Sequence, residues 1–197
     1  RRNVKAFKEA GVDYVVTNAG GCGALLIEYD HLLGGEPEWA EDAAWFSSRV
    51  IDVSDLLMRH GKPLEFREPA AGDSAEGCGL RITYQDSCHL RNAMKASVAP
   101  RKLMRSIGNV DFVEMKDADR CCGSAGTYNL TQPEMAGRIL EGKMDNANRT
   151  GAEYILTSNP GCLLQMKHGI RKHGDESKTK AVHIVDFLYE RIKNKEK

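Results

Sequence analysis

The sequence predicts an α/β protein built from two tandem modules, each a parallel sheet flanked by helices, with the first module truncated at its N-terminus. Three observations lead there: an internal repeat, an alternation of short β-type runs with helical ones, and cysteines placed just after the strands. The repeat sets Gly11-Val12-Asp13-Tyr14-Val15-Val16-Thr17 against Gly151-Ala152-Glu153-Tyr154-Ile155-Leu156-Thr157, and the same shift carries Gly21-Cys22 onto Gly161-Cys162. A second match sets Arg49-Val50-Ile51-Asp52-Val53-Ser54-Asp55-Leu56-Leu57 against Ala181-Val182-His183-Ile184-Val185-Asp186-Phe187-Leu188. The stretch before Gly151 that holds Cys88 and Cys121-Cys122 has no counterpart before Gly11.

Residues 1–62 therefore read as the C-terminal half of a first module, with a strand over Val12–Thr17 and Leu25 in the helix that follows. Residues 63–79 contain Pro63, Pro69, Gly72, Gly77 and Gly79 without apolar periodicity and read as a linker. Residues 80–197 read as a complete second module. Its strands are expected at Leu80–Tyr84, Val110–Met115, Tyr154–Thr157 and Val182–Ile184, with helices between them. Pro100 and Pro133 stand where a first helical turn should begin. Met135, Ala136, Ile139, Leu140, Met144 and Ala147 recur at helical spacing over Gln132–Thr150. Strands alternating with helices imply a parallel sheet covered by helices.

Composition narrows the function classes. The 197 residues are 41% hydrophobic and 28% charged, enough to bury one core or two small ones. Basic and acidic residues both number 28, so no net charge favours a nucleic-acid backbone, and nucleic acid is excluded as the main partner. Without an apolar run of about 18 residues or a signal-peptide pattern, the expected location is the cytoplasm, with peripheral contact at the inner face of the membrane through another subunit. Six cysteines are too few for a disulfide scaffold and point to metal or redox chemistry.

Ligands of open parallel sheets bind beyond the carboxyl ends of the strands. Cys88, Cys121, Cys122 and Cys162 each follow an expected strand of the second module, and Cys22 follows the strand of the first. A lone buried cysteine is ordinarily a small hydrophobe, but four in this placement make a set of soft ligands suited to an iron–sulfur cluster or to zinc. A vicinal disulfide between Cys121 and Cys122 would be strained. Gly123-Ser124-Ala125-Gly126 lets backbone N–H groups approach a bound cluster, so Gly123 and Gly161 are the candidate cofactor-binding glycines. Cys78 lies in the linker and reads as a bystander, and Asp86 and Glu134 as solvated carboxylates; His89 beside Cys88 either meets a metal or a sulfur or faces solvent, and is left out of the ligand set. Gly20-Gly21-Cys22-Gly23 lacks the Lys and Ser/Thr of a phosphate loop.

Tyr84-Gln85-Asp86-Ser87-Cys88-His89-Leu90, then Cys121-Cys122-Gly123-Ser124-Ala125-Gly126-Thr127-Tyr128-Asn129, then Ser158-Asn159-Pro160-Gly161-Cys162 resemble the cysteine-rich "CCG" domain family. That family includes the cysteine-rich component of heterodisulfide reductase, lactate utilisation iron–sulfur proteins and the glycolate oxidase iron–sulfur subunits, and the residues after the double cysteine look most like the last group. The resemblance implies Rossmann-like modules, an iron–sulfur cluster of [4Fe–4S] type held by Cys88, Cys121, Cys122 and Cys162, and a flavoprotein partner oxidising glycolate or a similar 2-hydroxy acid. It also implies onward electron transfer to a quinone or a membrane acceptor. Asn159 stands where other members carry the first cysteine of a Cys-x-x-Cys pair, leaving four ligands and not five. Cys22 is expected to belong to a separate site whose other ligands lie upstream. A structural zinc site and a heterodisulfide-reductase-like thiol reductase are the alternative functions.

Overall fold

The computed structural model describes residues 1–62, 64–66 and 79–192. Cys78 and most of the expected linker lie outside the described residues. The first part of the chain runs α1 (Arg2–Glu9), β1 (Val15–Thr17), α2 (Gly20–Leu26), α3 (Tyr29–Leu33), α4 (Ala40–Ser47), β2 (Val50–Asp52) and α5 (Val53–His60). The second runs β3 (Leu80–Gln85), α6 (Cys88–Asn92), α7 (Val98–Arg105), β4 (Val110–Phe112), α8 (Tyr128–Thr131), α9 (Pro133–Asn148), β5 (Tyr154–Thr157), α10 (Pro160–His173), β6 (Lys180–His183) and α11 (Ile184–Arg191).

Every strand pair within the two sheets is parallel, as the alternation of elements requires. β1 pairs with β2, and the second sheet has the order β4-β3-β5-β6. The chain leaves β3 for one side of the sheet and later returns to add β5 and β6 on the other. The direction of connection therefore reverses between β3 and β5, and such a switch point opens a crevice at the carboxyl ends of the two strands. The register Ile82↔Tyr154 through Gln85↔Thr157 brings those ends level.

Side chains alternating along the strands feed two cores. Ile155 joins Leu140, Met144, Met166 and Ile170 on the face covered by α9 and α10. Leu156, Ile82 and Tyr84 join Leu103, Met104 and Phe187 on the face covered by α7 and α11. Helix α9 opens with Pro133 at its first turn and buries Ala136, Leu140, Met144 and Ala147 along one stripe. Gly169 of α10 lets the two helices come close, since a Cβ there would lie 2.7 Å from the Met144 side chain. The first sheet packs over a smaller core of Val4, Val15 and Phe46.

Several boundaries differ from the expected ones. The strand expected to end at Met115 stops at Phe112, after which Met115 turns into the α9–α10 core. The strand expected at Val182–Ile184 is Lys180–His183, because the His183 ring accepts the Val185 amide and starts α11 at Ile184. Leu64 and Phe66, from the expected linker, pack against the α7–α11 core, and Phe66 bridges to Ile192. The two halves also meet directly. The Gly20 amide donates to Ser158 O at 3.1 Å and the His183 ring hydrogen-bonds Asn18 O at 2.8 Å. No helix among the described residues is long and apolar enough to cross a membrane.

Candidate metal centre

Each cysteine owes its position to the end of a strand. Cys88 opens α6 two residues past Asp86 at the end of β3, and Cys121-Cys122 follow β4 through the loop 113–120. Cys162 is the third residue of α10, after β5, and Cys22 is the third residue of α2, after β1. All five line one cavity of about 280 Å³ at the switch point, together with Asn159 and Gly161. Cys122 and Cys162 are buried, Cys88 and Cys121 half-buried and Cys22 exposed. Cys22, expected in a separate site, lines this cavity beside the other four. The reason is the direct docking of the two halves, which sequence periodicity does not report.

Four of the thiols are electrostatic neighbours in series, each shifting the ionisation of the next: Cys88 with Cys121, Cys121 with Cys122, and Cys122 with Cys162. Their ionisation is correspondingly coupled. The Cys122 contact and burial hold the Cys121 thiol well above its ordinary range. For Cys122, the Cys121 contact favours ionisation, but Cys162 and burial outweigh it and push the thiol up to about 12. Burial, with Cys121 beside it, raises Cys88. Cys162 moves the other way, lowered by its contact with Cys122 and, against burial, by Asn159. Crowded thiols oppose one another's ionisation, and a cationic metal among them reverses that, so this donor set fits a thiolate-bound metal group. Among the described residues no three His, Cys, Asp or Glu side chains converge on one point as a lone ion requires. Four soft donors around one cavity suit an iron–sulfur cluster or zinc.

The candidate glycines serve the cysteine loop. Gly123 has φ +90°, its amide donates to Cys121 Sγ at 3.3 Å, and a Cβ there would lie 2.6 Å from Ala136 O. Gly161 lines the cavity, where a Cβ would approach Ser124 Oγ to 3.1 Å. His89 is exposed, with its ring 3.6 Å from Cys88 Sγ, and Glu134 is an exposed carboxylate paired with Arg138.

Three residues escaped the sequence reading. Asp86, read there as solvated, is 1% exposed and receives two N–H bonds at 2.9 Å from Arg101. A lone Asp beside a cysteine carries no sign of an arginine one helix away. The Lys143 ammonium is buried and donates to Asp117 O and Ala118 O, tying α9 to the loop before Cys121, and burial lowers its pKa to about 8. Asn159, noticed only as a missing cysteine, accepts the Gly21 amide at 3.0 Å and lies 3.5 Å from Cys162 Sγ.

Comparison with known proteins identifies the family. The cysteine-rich domain family, CCG, matches residues 1–27 and 82–167, the stretches that carry these five cysteines. The chain is 50% identical over 190 residues to the probable glycolate oxidase iron-sulfur subunit of Bacillus subtilis (strain 168), covering 96% of this chain but 41% of that protein. It is 30% identical over 188 residues to lactate utilization protein A of Oceanobacillus iheyensis, covering 95% of this chain and 72% of that protein. The same protein of Lysinibacillus sphaericus is 30% identical, with 77% of its length covered. The chain belongs to the cysteine-rich CCG domain family.

Proposed function

We propose that this chain is an iron–sulfur electron-transfer component of an oxidoreductase. In this reading it takes electrons from a flavoprotein partner that oxidises glycolate or a similar 2-hydroxy acid and passes them toward a quinone or respiratory acceptor. It works in the cytoplasm, in peripheral contact with the inner face of the membrane. The observation that carries the reading is the gathering of four thiols, Cys88, Cys121, Cys122 and Cys162, from three strand ends onto one cavity. The names of the Bacillus subtilis and Oceanobacillus iheyensis relatives supply the substrate class.

When bound, a [4Fe–4S] cluster supplies one-electron redox chemistry at this cavity. The chain's own residues do the rest. The four cysteines would hold the group, and Cys122 and Cys162 are the two that are buried from water. The Gly123 amide and the first turn of α10 bring N–H dipoles toward Cys121 and Cys162, which favours the thiolate charge. Half-buried Cys88 and Cys121 bring the site near the surface, where a partner can approach within electron-transfer reach. Exposed Cys22, which lines the same cavity, is the fifth candidate ligand.

Iron, zinc and acid-labile sulfide per chain, measured in anaerobically prepared protein, test the assignment. About four iron and four sulfide are expected for one [4Fe–4S] cluster. One zinc without sulfide refutes electron transfer and makes this a structural metal module.

A further inference from the structure

We propose that Asn159 is a positioning residue that tunes the redox state of the cysteine centre and couples it to the first half of the chain. The inference rests on the iron–sulfur reading of the cavity.

Asn159 is the N-cap residue of α10, yet its side chain makes no capping bond. Asparagine at this position ordinarily accepts an amide of the first helical turn. Here the side chain is committed elsewhere: Oδ1 accepts the Gly21 amide at 3.0 Å, and Nδ2 lies 3.5 Å from Cys162 Sγ. The orientation of the amide follows from chemistry. A backbone N–H can only donate, so the oxygen must face Gly21, and the NH₂ group is left to face the sulfur.

An N–H aimed at a ligand sulfur stabilises the form with more negative charge on that sulfur, which is the reduced one. Burial of Cys162 keeps water from replacing the donor. The Gly21 amide at the other end belongs to the residue before Cys22, so one side chain spans both halves across 138 residues of sequence.

Two variants separate the roles. Asn159→Asp keeps an acceptor for Gly21 but loses the donor to Cys162 and adds a negative charge. Asn159→Leu loses both bonds without adding charge. Midpoint potentials are read by mediated dithionite titration, with iron and sulfide content alongside, and amide hydrogen exchange follows the Gly20–Leu26 helix.

With parental iron and sulfide, Asn159→Leu is expected to lower the reduced-to-oxidised ratio at fixed poise about tenfold, a shift of about 59 mV for one electron. Asn159→Asp should lower it further, because its charge adds to the lost donor. Faster exchange at Gly21 is expected in the leucine variant alone. A fully loaded leucine variant with the parental potential overturns the tuning role. So does loss of the cluster from both variants, which makes Asn159 purely structural. A parent protein without iron or sulfide overturns the cofactor reading itself, and this inference with it.

Discussion

Replacing Arg101 with methionine removes the partner of a carboxylate that has almost no water. Asp86 is 1% exposed, and the Arg101 guanidinium gives it two N–H bonds of 2.9 Å while also binding Ser97 O and both oxygens of Glu114. Burial alone would lower the Arg101 pKa, but Glu114 and Asp86 carry it above its ordinary range. In Arg101→Met, Asp86 keeps only Arg91 at 3.4 Å. Breaking a buried pair from one side costs about 3–5 kcal/mol, because the remaining charge has almost no water and has lost its main partner. With a urea slope of about 3 kcal/mol/M, the midpoint should fall by roughly 1 to 1.7 M. Adding Asp86→Asn should recover most of that loss by removing the stranded charge. The effect should reach the cysteines, since the Asp86 amide donates to Ala118 O and so ties β3 to the loop before Cys121. Lower iron loading at native temperature is expected to accompany the lost stability. A loss below about 1 kcal/mol would place the pair among surface ion pairs and refute the argument.

Asp52 is 1% exposed; its Oδ1 accepts the Ser54 amide while Oδ2 has no partner among the described residues, and burial raises its pKa from 3.8 to about 6. The folded state then holds this proton more tightly than the unfolded one, so the group's contribution is present below pH 3.8 and lost as pH rises through 6. Asp52→Asn keeps the Oδ1 acceptor and should stabilise the chain by about 1–3 kcal/mol at pH 7.5, with no gain near pH 4. Urea melts at the two pH values check this, and a variant destabilised at both contradicts it. Gly123→Ala should cost about 1–3 kcal/mol and lower iron content, because φ is +90° and the new Cβ meets Ala136 O at 2.6 Å; a fully loaded, equally stable variant argues against the cradle. Cys162→Ser should abolish the visible absorption of the cluster. Cys22→Ser should retain iron and sulfide, because Cys22 is the exposed thiol while the other four are buried or half-buried; loss of iron there would make Cys22 an obligatory ligand.

The sequence by itself determined what is local. Alternating β-branched runs and helical stripes indicated the α/β class, Pro133 marked the start of α9, and Tyr154–Thr157 was legible as a strand to the residue. The same patterns put each of the five cysteines after a strand, and parallel topology sends all such ends to one side of a sheet.

Tertiary structure decided what depends on pairing between distant segments. The order β4-β3-β5-β6 locates the switch point between β3 and β5, and no periodicity in the chain encodes that order. Docking of the halves through Asn18, Gly20 and Gly21 brings Cys22 to the cavity of the other four. The burial of Asp86 under Arg101 and the two-ended bond of Asn159 are likewise invisible in sequence. A polar side chain looks the same in a string whether it faces water or a partner 15 or 138 residues away, and only the folded chain supplies the partner.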